Sequence, residues 1–496
     1  MKNIIKKYIA FGIGLISMLL IGCHDNFLEE DPVSLLSPQV FPASAEDADL
    51  ILGGISQTLA SPQFFNRALI MLSEISSDET VVRYPSGIRY AIDQFNFVNS
   101  NRYITEVYQI CYQIINQSNL LIASLPNEEW AEPYNGSARF YRAMMYSYLV
   151  RLYGPAFLID KPTETVSDDT SLLVRSPEEE VFNFIVNDLI EAEKTLPVLW
   201  SGNTGNDGRP TLGAAKMLLA KMYLSMAGWP VNDSSKWNMA KGKAQEVIDL
   251  GIYDLWDDFS DAFKIPNQNG KEAILTAQMP VITGMITVQS RPTGGGIKEP
   301  GWYLWQSSKT FMDTFDDADE RKSSSFLTEF VQDPHPTIPY TLFSHNTNYG
   351  PTPAIAKYQD VGRENFQDNR KRTGLNIPVF RLAEAYLILA EAENEANGAT
   401  TIAHDAINEL RTRAGVPEFT GLSTNALRDA IRQEWSFELA FELKRKFNLL
   451  RWGTIDAVLA VDERASNGYA PFKKYYPIPQ SEFDRGLPPE FQNDGY

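Results

Sequence analysis

The feature that most constrains the fold of this chain is a helical spacing of apolar residues that recurs along much of its length. Between residues 104 and 125, apolar side chains follow the i, i+3, i+4, i+7 pattern of one helix face: Ile104, Val107, Tyr108, Cys111, Ile114, Ile115, Leu120 and Leu121. Similar patterns, with glycine or proline at several ends, predict helices from residue 178 onward and over 137–153, 212–227, 380–397, 401–414 and 425–446. The chain is therefore predicted to be mainly α.

Three of these predicted helices, beginning near Arg139, Gly213 and Arg381, mix alanine with large apolar residues. Small side chains let neighbouring helices approach closely, as in stacked helix-turn-helix repeats. The spacing between the three is irregular, which excludes a simple solenoid. Residues 251–376 differ, because they are rich in glycine, proline, asparagine, aspartate and aromatic residues. They predict loops, 3₁₀ turns and short strands inserted into a helical frame.

The N-terminus has the pattern of a lipoprotein signal peptide. Three lysines precede an apolar run from Tyr8 to Ile21, and the run meets Gly22 and then Cys23. The run is too short to span a bilayer comfortably, so a removable leader fits better than a retained helix. Residues 1–22 are predicted to be removed and Cys23 to be lipidated, with two or three acyl chains giving stable anchoring. Residues 23–38 read as an acidic tether.

The charge of the mature chain excludes two classes of partner. Loss of three lysines with the leader changes the formal charge from −19 to −22. Such an acidic body is not expected to bind nucleic acid by neutralising phosphates, or to bind an anionic membrane surface electrostatically. With Cys23 lipidated, Cys111 has no disulfide partner. We interpret Cys111 as a packed core residue, because no base or cation lies near it in sequence.

The segments that carry these patterns resemble, in order from end to end, the SusD/RagB family of nutrient-binding outer-membrane lipoproteins. The matching segments are residues 27–32 (FLEEDP), 138–155, 381–395, 408–415, 434–453, 476–479 (YPIP) and 492–496. One departure is Asp494, where the family usually has proline. Residues 483–491 match only loosely.

The resemblance implies a single domain over residues 39–496, with tetratricopeptide-like helix-turn-helix pairs supporting an irregular, loop-rich ligand-binding face with short strands. The helical frame would cover about 39–250 and 377–496, and the irregular insertion about 251–376. The resemblance also implies surface exposure on an outer membrane of Bacteroidetes type. It further implies capture of an oligosaccharide without cleavage, and a SusC-like TonB-dependent transporter as partner. No cofactor is expected.

Sugar binding requires flat aromatic platforms together with planar hydrogen-bonding groups, and two stretches outside the predicted helices supply this mixture. Residues 77–102 include Arg83, Tyr84 and Asn96, and residues 291–306 include Trp302, Tyr303 and Trp305. Family members commonly build their sites from these two regions, so these six residues are the predicted ligand contacts. The alternative for each aromatic side chain is packing in the core or in a loop.

Other interpretations receive weaker support. The same architecture could bind peptide or glycoprotein fragments, as the RagB branch of the family suggests. A lipid-anchored glycosidase or a purely structural helical adaptor would also fit parts of the pattern. The acidic run at residues 316–320 lacks EF-hand spacing and is interpreted as a turn that begins a helix, so no metal site is predicted. Charged residues of the 425–446 helix, Arg428, Arg432, Glu438 and Glu442, are interpreted as structural ion pairs.

Overall fold

The computed structural model describes residues 42–82, 86–162, 174–200, 207–279, 304–327, 329–332, 335–339, 352–358, 374–465 and 468–496. The predicted leader, Cys23 and the tether lie outside these residues. Helices dominate the described ranges: α1 (Ala45–Leu59), α2 (Ala68–Ser73), α3 (Gly87–Asp93), α4 (Arg102–Ser124), α5 (Glu132–Tyr153), α6 (Glu178–Thr195), α7 (Leu212–Ala227), α8 (Lys236–Asp249), α9 (Lys309–Met312), α10 (Glu320–Ser325), α11 (Leu382–Asn397), α12 (Thr401–Arg413), α13 (Thr424–Glu438), α14 (Arg445–Arg451), α15 (Ile455–Val461) and α16 (Gln480–Asp484).

The strands are short and form two-stranded antiparallel pairs: β1 (Thr80–Val82) with β5 (Trp305–Ser307), β2 (Ala156–Phe157) with β3 (Arg175–Ser176), β4 (Ala273–Ala277) with β10 (Ile377–Arg381), β6 (Phe326–Leu327) with β9 (Ala354–Ile355), and β7 (Glu329–Gln332) with β8 (His335–Pro339). Pairing of Phe380 and Arg381 with β4 explains why α11 begins two residues later than its apolar pattern predicts.

The larger helices pack side by side in a continuous row, α4–α5–α6–α7–α8–α11–α12, with α13 also against α11. Small residues permit the close approach, since a Cβ atom at Gly136 of α5 would lie only 2.4 Å from Thr195 Oγ1. The helices α8 and α11 are neighbours in this row, although residues 250–381 separate them in the sequence. The described residues between them therefore lie outside the row. The mainly α, tetratricopeptide-like prediction is confirmed.

The predicted helix over 425–446 is wrong at its C-terminal end. The structure breaks it between α13 and α14, where Phe441 and Leu443 both adopt φ of +63°. Lys357 Nζ donates to the carbonyls of Glu438 and Ala440, each at 3.0 Å, and Tyr358 Oη donates to the carbonyl of Phe441 at 2.9 Å. These donors satisfy carbonyls that lie at and beyond the end of α13, so the chain can turn there.

One apolar core extends from Ala48 to Ile478 and includes Phe311 and Tyr358 from the irregular region. Cys111 is fully buried in it, and burial raises the pKa of its thiol, as the core-packing interpretation requires. The acidic run also behaves as predicted, because Asp319 Oδ1 accepts from the backbone N–H of Arg321 at the start of α10. No helix within the described ranges has the length and apolar character needed to cross a membrane.

Candidate functional site

The two stretches predicted to bind ligand meet in a two-stranded ribbon formed by β1 and β5. Its register pairs Thr80 with Ser307, Val81 with Gln306, and Val82 with Trp305. Because the strands are antiparallel, the chain leaves β1 toward Arg83 and Tyr84 at the same end of the ribbon where it enters β5 from Trp302 and Tyr303. Those four residues lie outside the described residues.

The ribbon has two faces, since side chains alternate along a strand. Val82 and Trp305 face the core, where Trp305 is 0% exposed and its ring meets Phe441 edge-on at 6.4 Å. The prediction that Trp305 offers a platform to ligand is therefore wrong, and its packing alternative holds. Val81 lies along an open cleft on the other side, and Gln306 accepts a hydrogen bond from Thr352, a second residue of the cleft wall.

Asn96 is exposed at the surface just after α3. The neighbouring Phe95 has φ of +53° and is fully buried, with its ring 5.0 Å from that of Tyr469. Lys473 Nζ donates to the carbonyls of Phe95 and Gly468, at 2.8 and 2.6 Å. These contacts hold the backbone and leave the Asn96 amide accessible to solvent.

The guanidinium of Arg464 fixes the first strand of the ribbon. It donates to the carbonyls of Ser77, at 2.6 Å, and Thr80, and to the Asp93 carboxylate at 2.9 Å. Asp462 also accepts, at 2.6 Å. Burial alone would lower the pKa of Arg464, but these two carboxylates raise it above its ordinary value. A permanently charged group therefore positions the residues that lead to Arg83.

A second ion pair holds the start of β1 against α14. Arg445 binds the Asp78 carboxylate with two nitrogens, at 2.8 and 2.7 Å. Burial would raise the pKa of Asp78, but the hydrogen bonds and charge of Arg445 outweigh it and hold the pKa below its usual range. Ser308 joins α9 to the same segment through its N–H, which donates to the Glu79 carbonyl at 2.8 Å.

The open cleft beside the ribbon has a volume of about 900 Å³ and is walled by α9, α13, α14 and α15. Trp452, half-buried just after α14, supplies its aromatic surface, and its indole N–H donates to Glu391 at 2.8 Å. The guanidinium carbon of Arg432 lies 5.3 Å from the Trp452 ring centroid. The cleft thus combines a flat apolar ring with planar donors, the groups that sugar binding requires.

Comparison with known proteins identifies the family. The model of the SusD family matches residues 293–496, and a second model, described as starch-binding and associating with the outer membrane, matches residues 26–224. The chain belongs to the SusD/RagB family. Each model includes one strand of the ribbon, so the ribbon joins the two matched regions.

Individual SusD relatives match over nearly the whole chain. SusD-like protein P2 of Formosa agariphila is 27% identical over 480 residues, which cover 90% of each chain. A solved SusD homologue from Bacteroides thetaiotaomicron has a TM-score of 0.82 at 24% identity, covering 92% of this chain and 98% of its own. Surface glycan-binding protein A from the same organism, solved in complex with laminarihexaose, has a TM-score of 0.73 at 19% identity, covering 90% and 99%. The structural likenesses establish the SusD fold.

Sequence analysis missed the helical wall of the cleft in this SusD-family chain. Arg432 was assigned to a structural ion pair, yet it forms none with the described residues, whereas Arg428 pairs with Glu395 and Glu438 with Arg381. The available signal was the i−3 and i+4 spacing of Asp429, Arg432 and Ser436, which places three polar side chains on one helix face.

Proposed function

We propose that this protein is a surface glycan-binding lipoprotein that captures an oligosaccharide without cleaving it. The observation that carries this proposal is the ribbon, which brings the described ends of both predicted binding stretches to one place beside the cleft. Membership in the SusD/RagB family and the laminarihexaose complex of a protein with the same fold support it. In this proposal, Arg83, Tyr84, Asn96, Trp302 and Tyr303 contact ligand, and Trp452 extends the contact surface into the cleft.

We also propose that Cys23 carries the lipid anchor and that the captured glycan passes to a SusC-like TonB-dependent transporter in the outer membrane. The signal-peptide pattern and the matched model described as associating with the outer membrane support this placement. Retention of the full-length protein in membranes, lost in a Cys23→Ala variant, would support the anchor. Co-purification of the detergent-solubilised protein with an outer-membrane transporter of this class would support the delivery step.

The binding proposal is tested by calorimetry with protein that begins after Cys23, titrated with panels of oligosaccharides and of peptides. We expect wild type to bind at least one glycan without releasing products. We expect Trp302→Ala and Trp452→Ala each to weaken binding about 5- to 10-fold, because one stacked ring contributes on the order of 1 kcal/mol.

Trp130→Ala is the matched control, because Trp130 packs beside Tyr134, with ring centroids 6.1 Å apart, and does not line the cleft. Binding of peptides alone would indicate that the ligand is a peptide rather than a glycan. Release of products with turnover would indicate a glycosidase. Unchanged binding in both the Trp302→Ala and Trp452→Ala variants would remove these residues from the site.

A further inference from the structure

Arg432 differs from the other cations that line the cleft. Lys309 pairs with Asp313, Arg445 with Asp78 at 2.7 Å, and Arg464 with Asp462 at 2.6 Å. Arg432 forms no ion pair with any described carboxylate, and its buried Nε has no hydrogen-bond partner there. Among the described cations of the cleft wall, Arg432 is thus the one that has no carboxylate within ion-pair distance.

The position of Arg432 makes it accessible to a ligand in the cleft. Asp429 and Ser436, one turn before and after it on α13, line the same wall, so Arg432 lies at the middle of the helix face that borders the cleft. Its guanidinium lies over the Trp452 ring, which Glu391 fixes through the indole N–H. Glu391 is itself held by Arg451 at 2.7 Å, so the platform under Arg432 is rigid.

An unpaired guanidinium beside a fixed aromatic ring favours one class of ligand group. A neutral sugar hydroxyl can accept from a terminal N–H of the guanidinium, but it leaves the positive charge without a counter-ion. An oxyanion does both, and the planar donor set of arginine matches two oxygens at once. The apolar part of the same sugar can then contact the portion of the Trp452 side chain that lines the cleft.

We propose that the cleft binds an acidic sugar unit whose carboxylate or sulfate oxygens pair with Arg432. This inference rests on the proposed glycan-binding function and adds the chemical class of the ligand. Asp78, Asp429, Asp462 and Glu463 also line the cleft, and two of these four carboxylates, Asp78 and Asp462, are neutralised by Arg445 and Arg464.

The test is calorimetry with oligosaccharides that carry galacturonate, glucuronate or sulfate, each beside a neutral counterpart (the methyl ester of a uronate, or the desulfated chain). Wild type is expected to bind an acidic member at least 10-fold more tightly than its neutral counterpart, with affinity falling as salt rises. Arg432→Gln keeps a planar amide but removes the charge. The affinity of this variant for the acidic ligand should fall at least 10-fold, and its affinity for the neutral counterpart should change less than 2-fold.

Lys309→Gln is the matched control, because it removes the same charge from the cleft wall at a residue that already pairs with Asp313. We expect it to change acidic binding less than 2-fold, with the melting temperatures of both variants close to wild type. Comparing uronate with sulfate ligands identifies which oxyanion is bound.

Two results would overturn the inference while leaving glycan capture intact. One is equal affinity of wild type for acidic and neutral members of each pair. The other is an equal loss of affinity for the acidic ligand in Arg432→Gln and Lys309→Gln. That result would indicate a general electrostatic effect of positive charge on the cleft wall rather than a specific contact with Arg432. Failure of wild type to bind any glycan, acidic or neutral, would instead overturn the proposed function on which the inference rests.

Discussion

Lys446 in α14 is a fully buried lysine whose amine has no hydrogen-bond partner among the described residues. Its Nζ lies 4.1 Å from the centroid of the Tyr476 ring, which offers only a weak electrostatic attraction. Burial lowers the pKa of Lys446 to about 7. In the unfolded chain a lysine titrates near pH ~10.4, so the unfolded state binds more protons between these two values. The free energy of unfolding should therefore rise with pH from about 7 to about 10.

We predict that Lys446→Met raises the free energy of unfolding by about 2–4 kcal/mol at pH 6, because the buried charge is removed. The gain should shrink toward pH 10, where the wild-type amine is already neutral in the folded protein and no charge is buried. Urea unfolding at the two pH values measures this. Lys444→Met is the control. Lys444 donates to the Val379 carbonyl at 2.6 Å, so this variant should be less stable than wild type at both pH values. Destabilisation by Lys446→Met at pH 6 would contradict the argument.

Single residues were predictable where their environment is set by nearby sequence. The helical spacing around Cys111 was enough to place that residue in the core, because its neighbours belong to the same helix. Trp305 was not predictable in this way. The face to which its side chain points depends on pairing with Val82, which lies far away in the sequence. A three-residue strand contains too little periodicity to indicate which face is buried.

At the scale of elements, the end of α7 shows how tightly the helical frame is packed. Gly228 follows α7 with φ of −98°, a conformation open to any residue, yet a Cβ atom there would lie 2.2 Å from the Arg451 carbonyl oxygen. The next N–H, of Trp229, donates to that same carbonyl at 2.8 Å. The glycine is therefore required by the contact between α7 and α14 rather than by its own backbone angles.

We predict that Gly228→Ala lowers the free energy of unfolding by about 1–3 kcal/mol, because the methyl group meets backbone that cannot move independently. Gly242→Ala provides the contrast. Gly242 is inside α8, where a Cβ atom would meet nothing within 4 Å, so alanine should add about 0.5–1 kcal/mol by helix propensity. Thermal or urea unfolding of the two variants measures both changes in stability. Equal changes in the same direction would exclude the packing explanation.

Most long helices could be predicted from their own apolar spacing, and α7 has both of its predicted ends. The break between α13 and α14 could not. Its cause lies in Lys357 and Tyr358, two residues of the irregular region that reach the carbonyls beyond α13. The spacing of apolar residues within a helix cannot reveal a hydrogen-bond donor that lies more than 80 residues away in the sequence. The cleft wall was missed for the same reason, since its other sides come from the ribbon and α9.

At the scale of the whole molecule, a buried ion network joins the irregular region to the C-terminal helices. Glu438 accepts from Arg381, Arg413 and Arg321, which stand on β10, α12 and α10. Glu442 pairs with Lys357 at 2.7 Å and also with Arg381. Burial would raise the pKa of Glu438, but Arg413, Arg381 and Arg321 lower it far below its ordinary value. Its stabilising contribution is thus complete above about pH 4.5 and is lost as the pH falls further.

We predict that Glu438→Gln costs about 3–5 kcal/mol of unfolding free energy at pH 7, because it leaves buried guanidinium groups without their counter-charge. The difference from wild type should narrow as the pH falls below about 4.5, where the wild-type carboxylate begins to be protonated on unfolding. Glu418→Gln, at an exposed position, should change stability by less than about 0.5 kcal/mol. A constant difference across this pH range would argue that the carboxylate charge is not the source of the stability.

The ribbon also constrains the order in which parts of the molecule can fold. Its hydrogen bonds join residues far apart, with Ser307 Oγ donating to the Glu79 carbonyl across 228 residues and Ser308 Oγ donating to that of Asp78 across 230. Helices such as α4 and α5 can form and pair through contacts that are close in sequence, whereas β1 can pair only when the distant β5 reaches it. A folding chain can therefore build its local helix pairs early, while the ligand cleft beside the ribbon is assembled late.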